Sequence, residues 1–362
     1  MRVLFTCGLG YLPQRSGGAQ SSTDQLANAL KRAGHEPAVL TALEPGNSLV
    51  WRSKLQRKLT GRTFSRDQGM GYPVFRAWDP TNTAEVVRRF KPDVAVVQNG
   101  SMVPIANSLQ KEGVPVILYF RNVEFSEMGG DLMDIHPLAC ISNSNFTARR
   151  YFDAYGIESH IIPPLVDPVK YRTDSTRKNV TLINPSPLKG GNLAIDIASL
   201  CPDIPFVFVQ SWKLHDETHA ALIERVTQVP NITLQPRTDD MKSVYGRARI
   251  LLAPSQWEEA WGRVASEAHC SGIPVLGSNR GGLPEAIGPG GIVLPYDASA
   301  QDWANALRQM WDDIEVYDRL SLAARNFSKR PEIVPENQFE TFLKVIEKAI
   351  SSDPASGGPN LG

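Results

Sequence analysis

The chain reads as an α/β protein made of two doubly wound, parallel-sheet domains. Three observations point there: short apolar runs recur along the sequence, helical patterns separate them, and one proline-rich break interrupts the series near the middle. The 362 residues suit about two domains, at roughly 100–200 residues each. With 42% hydrophobic and 21% charged residues, the chain can bury a substantial core.

In the first half the runs are Val3–Cys7, Pro37–Thr41, Val94–Gln98, Pro115–Phe120, Ala139–Ser142 and His160–Pro163. In the second they are Val180–Asn184, Phe206–Gln210, Ile232–Gln235, Ile250–Pro254, Pro274–Gly277 and Gly291–Leu294. They are continuously apolar instead of alternating, the pattern of strands covered on both faces. Pro163, Pro164 and Pro168 disfavour helix and stiffen the chain, so a domain boundary is expected there. Ser21, Ser22, Thr23 and Asp24 offer capping oxygens to a helix through Leu26, Ala29 and Leu30, which Gly34 stops. Near the end, Phe339, Phe342, Leu343, Ile346 and Ile350 fall on one face of a helix. The expected domains are 1–165 with a returning helix 336–351, and 169–331; 352–362 reads as a disordered tail.

Charge and cysteine usage exclude several classes. Lys plus Arg (38) balance Asp plus Glu (38), which argues against nucleic-acid binding through global charge. No apolar run approaches the ~18–20 residues that span a bilayer. The opening MRVLFTCGLG lacks the features of a signal peptide, so a cytoplasmic protein is expected. Cys7, Cys140, Cys201 and Cys270 are widely spaced and read as free, mostly buried thiols.

Two stretches carry chemistry. Gly8, Gly10, Gly17 and Gly18 lie between the first strand and first helix, where a doubly wound sheet opens its ligand crevice. Glycine lets backbone amides approach an anion there, and the helix N-terminus adds partial positive charge. The loop from Gly8 to Gly17 is too long for a dinucleotide fingerprint, which sets aside a nicotinamide enzyme. The second stretch is Pro254–Glu267, a strand end, a loop with two acids, and a helix starting near Arg263. Glu259 falls ahead of that helix and Glu267 about two turns in, roughly 12 Å along the axis. So placed, the two cannot form one acid/base dyad, but they can hold two parts of an elongated ligand, with the helix dipole facing a diphosphate between them.

At these residues the chain resembles the family 4 retaining glycosyltransferases of GT-B fold, in which two Rossmann-like domains face across a cleft. Glu259 and Glu267 look like the family's paired glutamates, with Trp261-Gly262-Arg263-Val264 standing where an aromatic-Gly-x-Val is usual. Arg280-Gly-Gly-Leu-Pro-Glu285 is similar to its glycine-rich loop, and Pro13–Gln20, with Gly17 and Gly18, to its opening loop. Pro187-Leu-Lys189-Gly190 resembles the element whose lysine neutralises the leaving diphosphate. The resemblance implies transfer of a sugar from a nucleotide-sugar donor, UDP-sugar ahead of GDP-sugar, with retention. Glu259 and Lys189 would be catalytic. Gly17, Gly18, Lys189, Glu259, Trp261, Gly262, Arg263, Val264 and Glu267 would bind the donor, and Arg121, Asn122 and Glu124 stand on the acceptor side. The acceptor would be a small molecule, a glycan or a lipid-linked compound. No cofactor is expected, because the nucleotide sugar is itself a substrate. No metal is expected either, since no Asp-x-Asp pair occurs.

The chain departs from the family in two places. Ile183-Asn184 stands in place of the usual Gly-Arg before the lysine, so a second cation on the diphosphate would be missing or supplied from elsewhere, with Arg237 and Arg263 as the candidates. Arg121 stands where the first domain normally carries a histidine. These departures motivate a rival, a catalytically silent binding partner; a nucleotide-sugar epimerase of similar shape is a second. His215 and His219 have zinc-ligand spacing without a third ligand, and read as a polar helix face. Trp212, Trp257 and Trp261 are candidate stacking residues, Trp261 first among them. Segment 49–66 has six basic residues, no acid, and Trp51, Leu55 and Leu59 at helical spacing. The preferred reading is a helix packed by that stripe with its charges in water. The other is an interfacial helix giving peripheral contact with the inner membrane face.

Overall fold

The structure, a computed structural model, describes residues 1–45, 48–211 and 215–352. Trp212 and residues 353–362 of the expected tail lie outside the described residues. The chain divides into two units, Met1–Leu165 with the returning helix Pro335–Ser351, and Val166–Val334.

The first unit has eight strands: β1 (Arg2–Cys7), β2 (Glu36–Ala42), β3 (Phe64–Asp67), β4 (Val74–Ala77), β5 (Val94–Val97), β6 (Val116–Phe120), β7 (Ala139–Ser142) and β8 (His160–Ile161). Their order is β3-β4-β2-β1-β5-β6-β7-β8, parallel throughout except that β3 runs antiparallel to β4. The six apolar runs of this half all form strands. Sequence reading missed β3 and β4, because Phe64-Ser-Arg-Asp67 and Val74-Phe-Arg-Ala77 mix charge into very short segments. Arg76 nevertheless has no exposed surface.

Both faces of the sheet are covered. Leu4, Leu40, Val97 and Leu118 pack with Leu109 and Tyr151 on one side. Phe5, Val96 and Tyr119 pack with Leu26, Leu30, Phe342 and Ile346 on the other, and Phe5 stacks on Phe342 at 6.0 Å. Burying a side chain such as Phe342 contributes about 1.5–3 kcal/mol, which fastens the last helix to this unit.

Two local expectations change. The first helix spans Gly18–Arg32 with Gly17 as its cap, so Ser21–Asp24 lie inside it. Ser22 and Thr23 donate instead to the carbonyls of Gly18 and Ala19, one turn back. The basic segment forms a helix, Ser48–Thr60, but its stripe is not packed: Trp51 is 76% exposed, Leu55 59% and Leu59 76%. Val50 and Ser53 face the unit instead.

The second unit has six strands: β9 (Asn179–Ile183), β10 (Phe206–Val209), β11 (Ile232–Gln235), β12 (Ala248–Ala253), β13 (Val275–Ser278) and β14 (Gly291–Leu294). The order β11-β10-β9-β12-β13-β14 is fully parallel, the doubly wound arrangement of a nucleotide-binding sheet. Phe206, Phe208, Trp303 and Leu307 fill one side; Leu251, Val275, Ala265 and Leu283 fill the other. All four cysteines are buried free thiols. Among the described residues, no helix is long and apolar enough to cross a membrane.

Candidate active site

In a doubly wound sheet the crevice opens where strand order reverses, beyond the carboxyl ends of the strands. In the second unit that point lies between β9 and β12, and the loops following both strands meet there. Gln256 and Trp257 both donate their backbone N–H to the Leu188 carbonyl, at 2.9 and 3.0 Å. Gly190 makes the approach feasible, since a Cβ on it would lie 2.0 Å from the Pro254 carbonyl oxygen and its φ is +78°.

This stitching brings two predicted residues together across seventy positions of sequence. Lys189 Nζ donates to Glu259 Oε1 at 2.5 Å, with both side chains 17% exposed. Ser255 Oγ donates to the same oxygen at 3.0 Å. Ser255 was missed by sequence reading; its nearness to Glu259 in the loop was the only available signal. The glycine-rich loop after β13 closes the arrangement. Gly282 N–H donates to the Glu259 carbonyl at 2.6 Å, and a Cβ on Gly281 would lie 2.2 Å from that oxygen. Arg280 Nε donates to the Gln256 carbonyl at 3.1 Å. Glu259 is thus held at its backbone by one loop and at its carboxylate by two side chains.

Glu267 has a different setting. The helix Arg263–His269 starts from Gly262 in left-handed backbone, with Val264 partly buried in the core beneath it. Glu267 is buried, with Oε1 accepting from Arg263 Nε at 2.8 Å and Oε2 from the Tyr245 hydroxyl at 3.0 Å. Arg263 also donates to the Tyr171 hydroxyl at 3.0 Å. Burial raises the Glu267 carboxyl above its ordinary value, with the Arg263 charge pulling the other way.

Three of the residues singled out in the sequence have protein partners here. Arg263 is turned inward onto Glu267 and Tyr171. Arg237 pairs with Asp239 at 3.3 Å on the exposed surface. Trp261 is 4% exposed and donates Nε1–H to Ser266 at 3.0 Å, so its ring packs in the core instead of offering a stacking face. Asn184 is buried at the end of β9 in left-handed backbone (φ +62°), a conformation its short amide side chain tolerates.

The first unit repeats the switch-point geometry between β1 and β5. Gly8 N–H donates to the carbonyls of Asn99 and Gly100 at 3.0 and 3.1 Å, and a Cβ on it would lie 2.3 Å from the Gly100 oxygen. The loop beyond is pinned from below. Arg76 donates to the Leu12 carbonyl at 2.5 Å and to Asp67 at 2.8 Å, while Gly10 N–H donates to Glu44 at 3.1 Å. Arg76 is therefore a buried brace, not a ligand group. Gly17 and exposed Gly18 open the fifteen-residue helix, which has no acidic residue in its first turn and no side-chain cap among the described residues. The first amides of a helix have no acceptor within the helix itself.

At the end of β6, Arg121 is 6% exposed and stacks on Tyr119 with its guanidinium carbon 3.8 Å from the ring centre. Asn122 donates to Glu127 at 3.2 Å, and half-buried Glu124 has its carboxyl raised by burial. His219 meets Gln210 at 2.8 Å, as a polar helix face would.

A model of the group 1 glycosyl transferases matches residues 187–327, and one of glycosyltransferase family 4 matches residues 16–170. Together they take in most of both units, and the chain belongs to the family 4 glycosyltransferases, with the GT-B type of α/β fold. The Corynebacterium aurimucosum D-inositol 3-phosphate glycosyltransferase is 42% identical over 93 residues, 25% of this chain and 21% of that protein. Spore coat protein SA of Bacillus subtilis is 27% identical over 184 residues, 45% of this chain and 46% of its own. The chain thus spans between about a fifth and half the length of these curated relatives. Anabaena Alr3699/HepE, solved in complex with UDP-glucose, is similar at TM-score 0.77 and 17% identity, over 96% of this chain and all of that one (100%). A Rickettsia africae glycosyltransferase gives TM-score 0.75 and 16% identity, over 97% and 99%. Likeness at these identities is likeness of fold.

Proposed function

We propose that this protein is a retaining glycosyltransferase that moves a hexosyl group from a nucleotide-sugar donor, UDP-linked, to an acceptor without a metal ion. The observation that carries the reading is the Lys189–Glu259 contact at the switch point of the second unit. When a sugar leaves its diphosphate, negative charge develops mainly on the phosphate oxygens. A fixed ammonium in a partly water-excluded site stabilises that charge more than solvent would. In this reading Lys189 turns to the diphosphate when donor binds, and Glu259, still held by Ser255 and Gly282, takes up the hydroxyls of the transferred sugar. Glu267 would meet the ribose, with Arg263 and Tyr245 setting its direction. In the first unit, Gly17 and Gly18 stand as further donor-binding candidates, and Arg121, Asn122 and Glu124 as acceptor-side candidates.

UDP is placed first because a structurally similar protein was solved with UDP-glucose. A melting-temperature panel with UDP-, GDP-, ADP- and dTDP-sugars tests the donor. A ligand bound only by the folded state at a hundredfold excess over Kd adds about 2.7 kcal/mol of stability. A shift confined to the UDP series supports the reading, and anomeric analysis of the product tests retention. The second reading, a binding partner without turnover, rests on Asn184 standing in place of a cation. Donor binding with neither transfer nor slow donor hydrolysis would favour it.

A further inference from the structure

Four of the large exposed apolar side chains of the first unit gather at one helix. Trp51, Leu55 and Leu59 stand on the outer face of Ser48–Thr60, spanning two turns or about 12 Å. Trp78 joins them: it is 44% exposed, and Arg57 lies over its ring at 6.0 Å. At 100° per residue, Lys54 and Lys58 run along one side of the stripe and Arg52 along the other. Arg62 and Arg66 follow, and no acidic residue occurs between Ser48 and Arg66. Among the described residues none of these six bases holds an ion pair. The nearby acids have other partners: Asp67 takes Arg76, Glu85 takes Arg89 and Thr63, and Asp79 takes Thr81.

We propose that this face docks on the surface of an anionic lipid bilayer. An apolar ridge flanked by unpaired bases suits that interface. The rings and leucines enter the headgroup boundary, the lysine stems lie along them, and the ammonium groups reach lipid phosphates. A protein partner would have to supply both an apolar groove and matching acids, whereas an anionic bilayer presents both along its whole surface. Each basic residue near such a surface adds about 1 kcal/mol. The helix therefore combines the two kinds of signal, apolar and polybasic, that reversible anchoring requires. This inference is independent of the transfer reaction and is tested without turnover.

The experiment is co-sedimentation of the full chain with vesicles of phosphatidylcholine alone, or mixed equally with phosphatidylglycerol. Binding is expected only to the mixed vesicles and should weaken as salt rises. Lys54→Gln with Lys58→Gln should weaken it about 30-fold, two such contributions at 1.4 kcal/mol per tenfold. Trp51→Ser, Leu55→Ser and Leu59→Ser together should abolish it while leaving the melting temperature and donor binding unchanged. Should that triple variant fail to fold, the lysine pair decides. Failure to bind mixed vesicles, equal binding to neutral ones, or a self-association that the triple variant disperses without any vesicle binding would each overturn the proposal.

Discussion

The two switch points are built on one plan and furnished differently. In each, a glycine lets the loop after the unit's first strand touch the loop after the strand across the reversal: Gly8 against Gly100, and Gly190 against Pro254. In the first unit, two charged groups brace the loop, Arg76 through Leu12 and Asp67, and Glu44 through Gly10. In the second, Lys189 and Glu259 face each other with part of each side chain still open to solvent. Topology supplies a crevice twice; side chains decide which crevice has charge to offer a ligand.

That contrast can be broken from either side. Arg76→Met should have the largest effect on stability, about 3–5 kcal/mol, because Asp67 loses a buried partner and the loop carbonyl its donor. Chemical denaturation would measure it, and a loss below 1 kcal/mol would refute the brace. Glu259→Ala and Lys189→Ala should each lower kcat by about 10²–10³-fold, the scale for removing one preorganised group. Their melting temperatures should stay close to the parent's. Turnover close to the parent's in either variant would remove the second unit's claim to the chemistry.

Gly190→Ala should destabilise by about 1–3 kcal/mol, since it combines left-handed backbone with a backbone collision. Gly8→Ala meets only the collision and should cost less; the reverse ranking in denaturant midpoints would upset the parallel. The smallest effect per unit of change concerns pH. His269 is buried in the second unit beside Phe327, and burial holds its pKa down to about 3 from 6.5. Between those values the unfolded chain binds a proton that the folded chain refuses. Stability therefore falls as pH drops below 6.5, by up to about 1.4 kcal/mol per pH unit. The same loss in His269→Leu as in the parent would show that the slope comes from elsewhere.

Much of the fold was legible because a parallel strand covered on both faces must be apolar along its length. All twelve runs that satisfy this form strands. The two missed strands, β3 and β4, carry Arg66 and Arg76, and the burial of Arg76 is made tolerable by Asp67 on the neighbouring strand and by the Leu12 carbonyl in a distant loop. The helix start at Gly18 was misjudged because Ser21–Asp24 are good capping residues; tertiary contacts, such as Thr23 with Gln98, place them inside the helix. At the candidate site, Lys189, Glu259 and the glycines were visible as motifs. The inward turn of Arg263, the burial of Trp261 and the exposure of Trp51, Leu55 and Leu59 were not.

The sequence by itself determined which segments become strands, where glycine must stand, and which acids and lysine carry the family pattern. These are local properties, set by side-chain polarity and backbone freedom, and they hold wherever the segment ends up. Only the tertiary structure decided which charges are paired and which apolar side chains stay in water. Partners such as Lys189 and Glu259 lie seventy positions apart, and a stripe of tryptophan and leucine has the same spacing whether it faces a core or solvent.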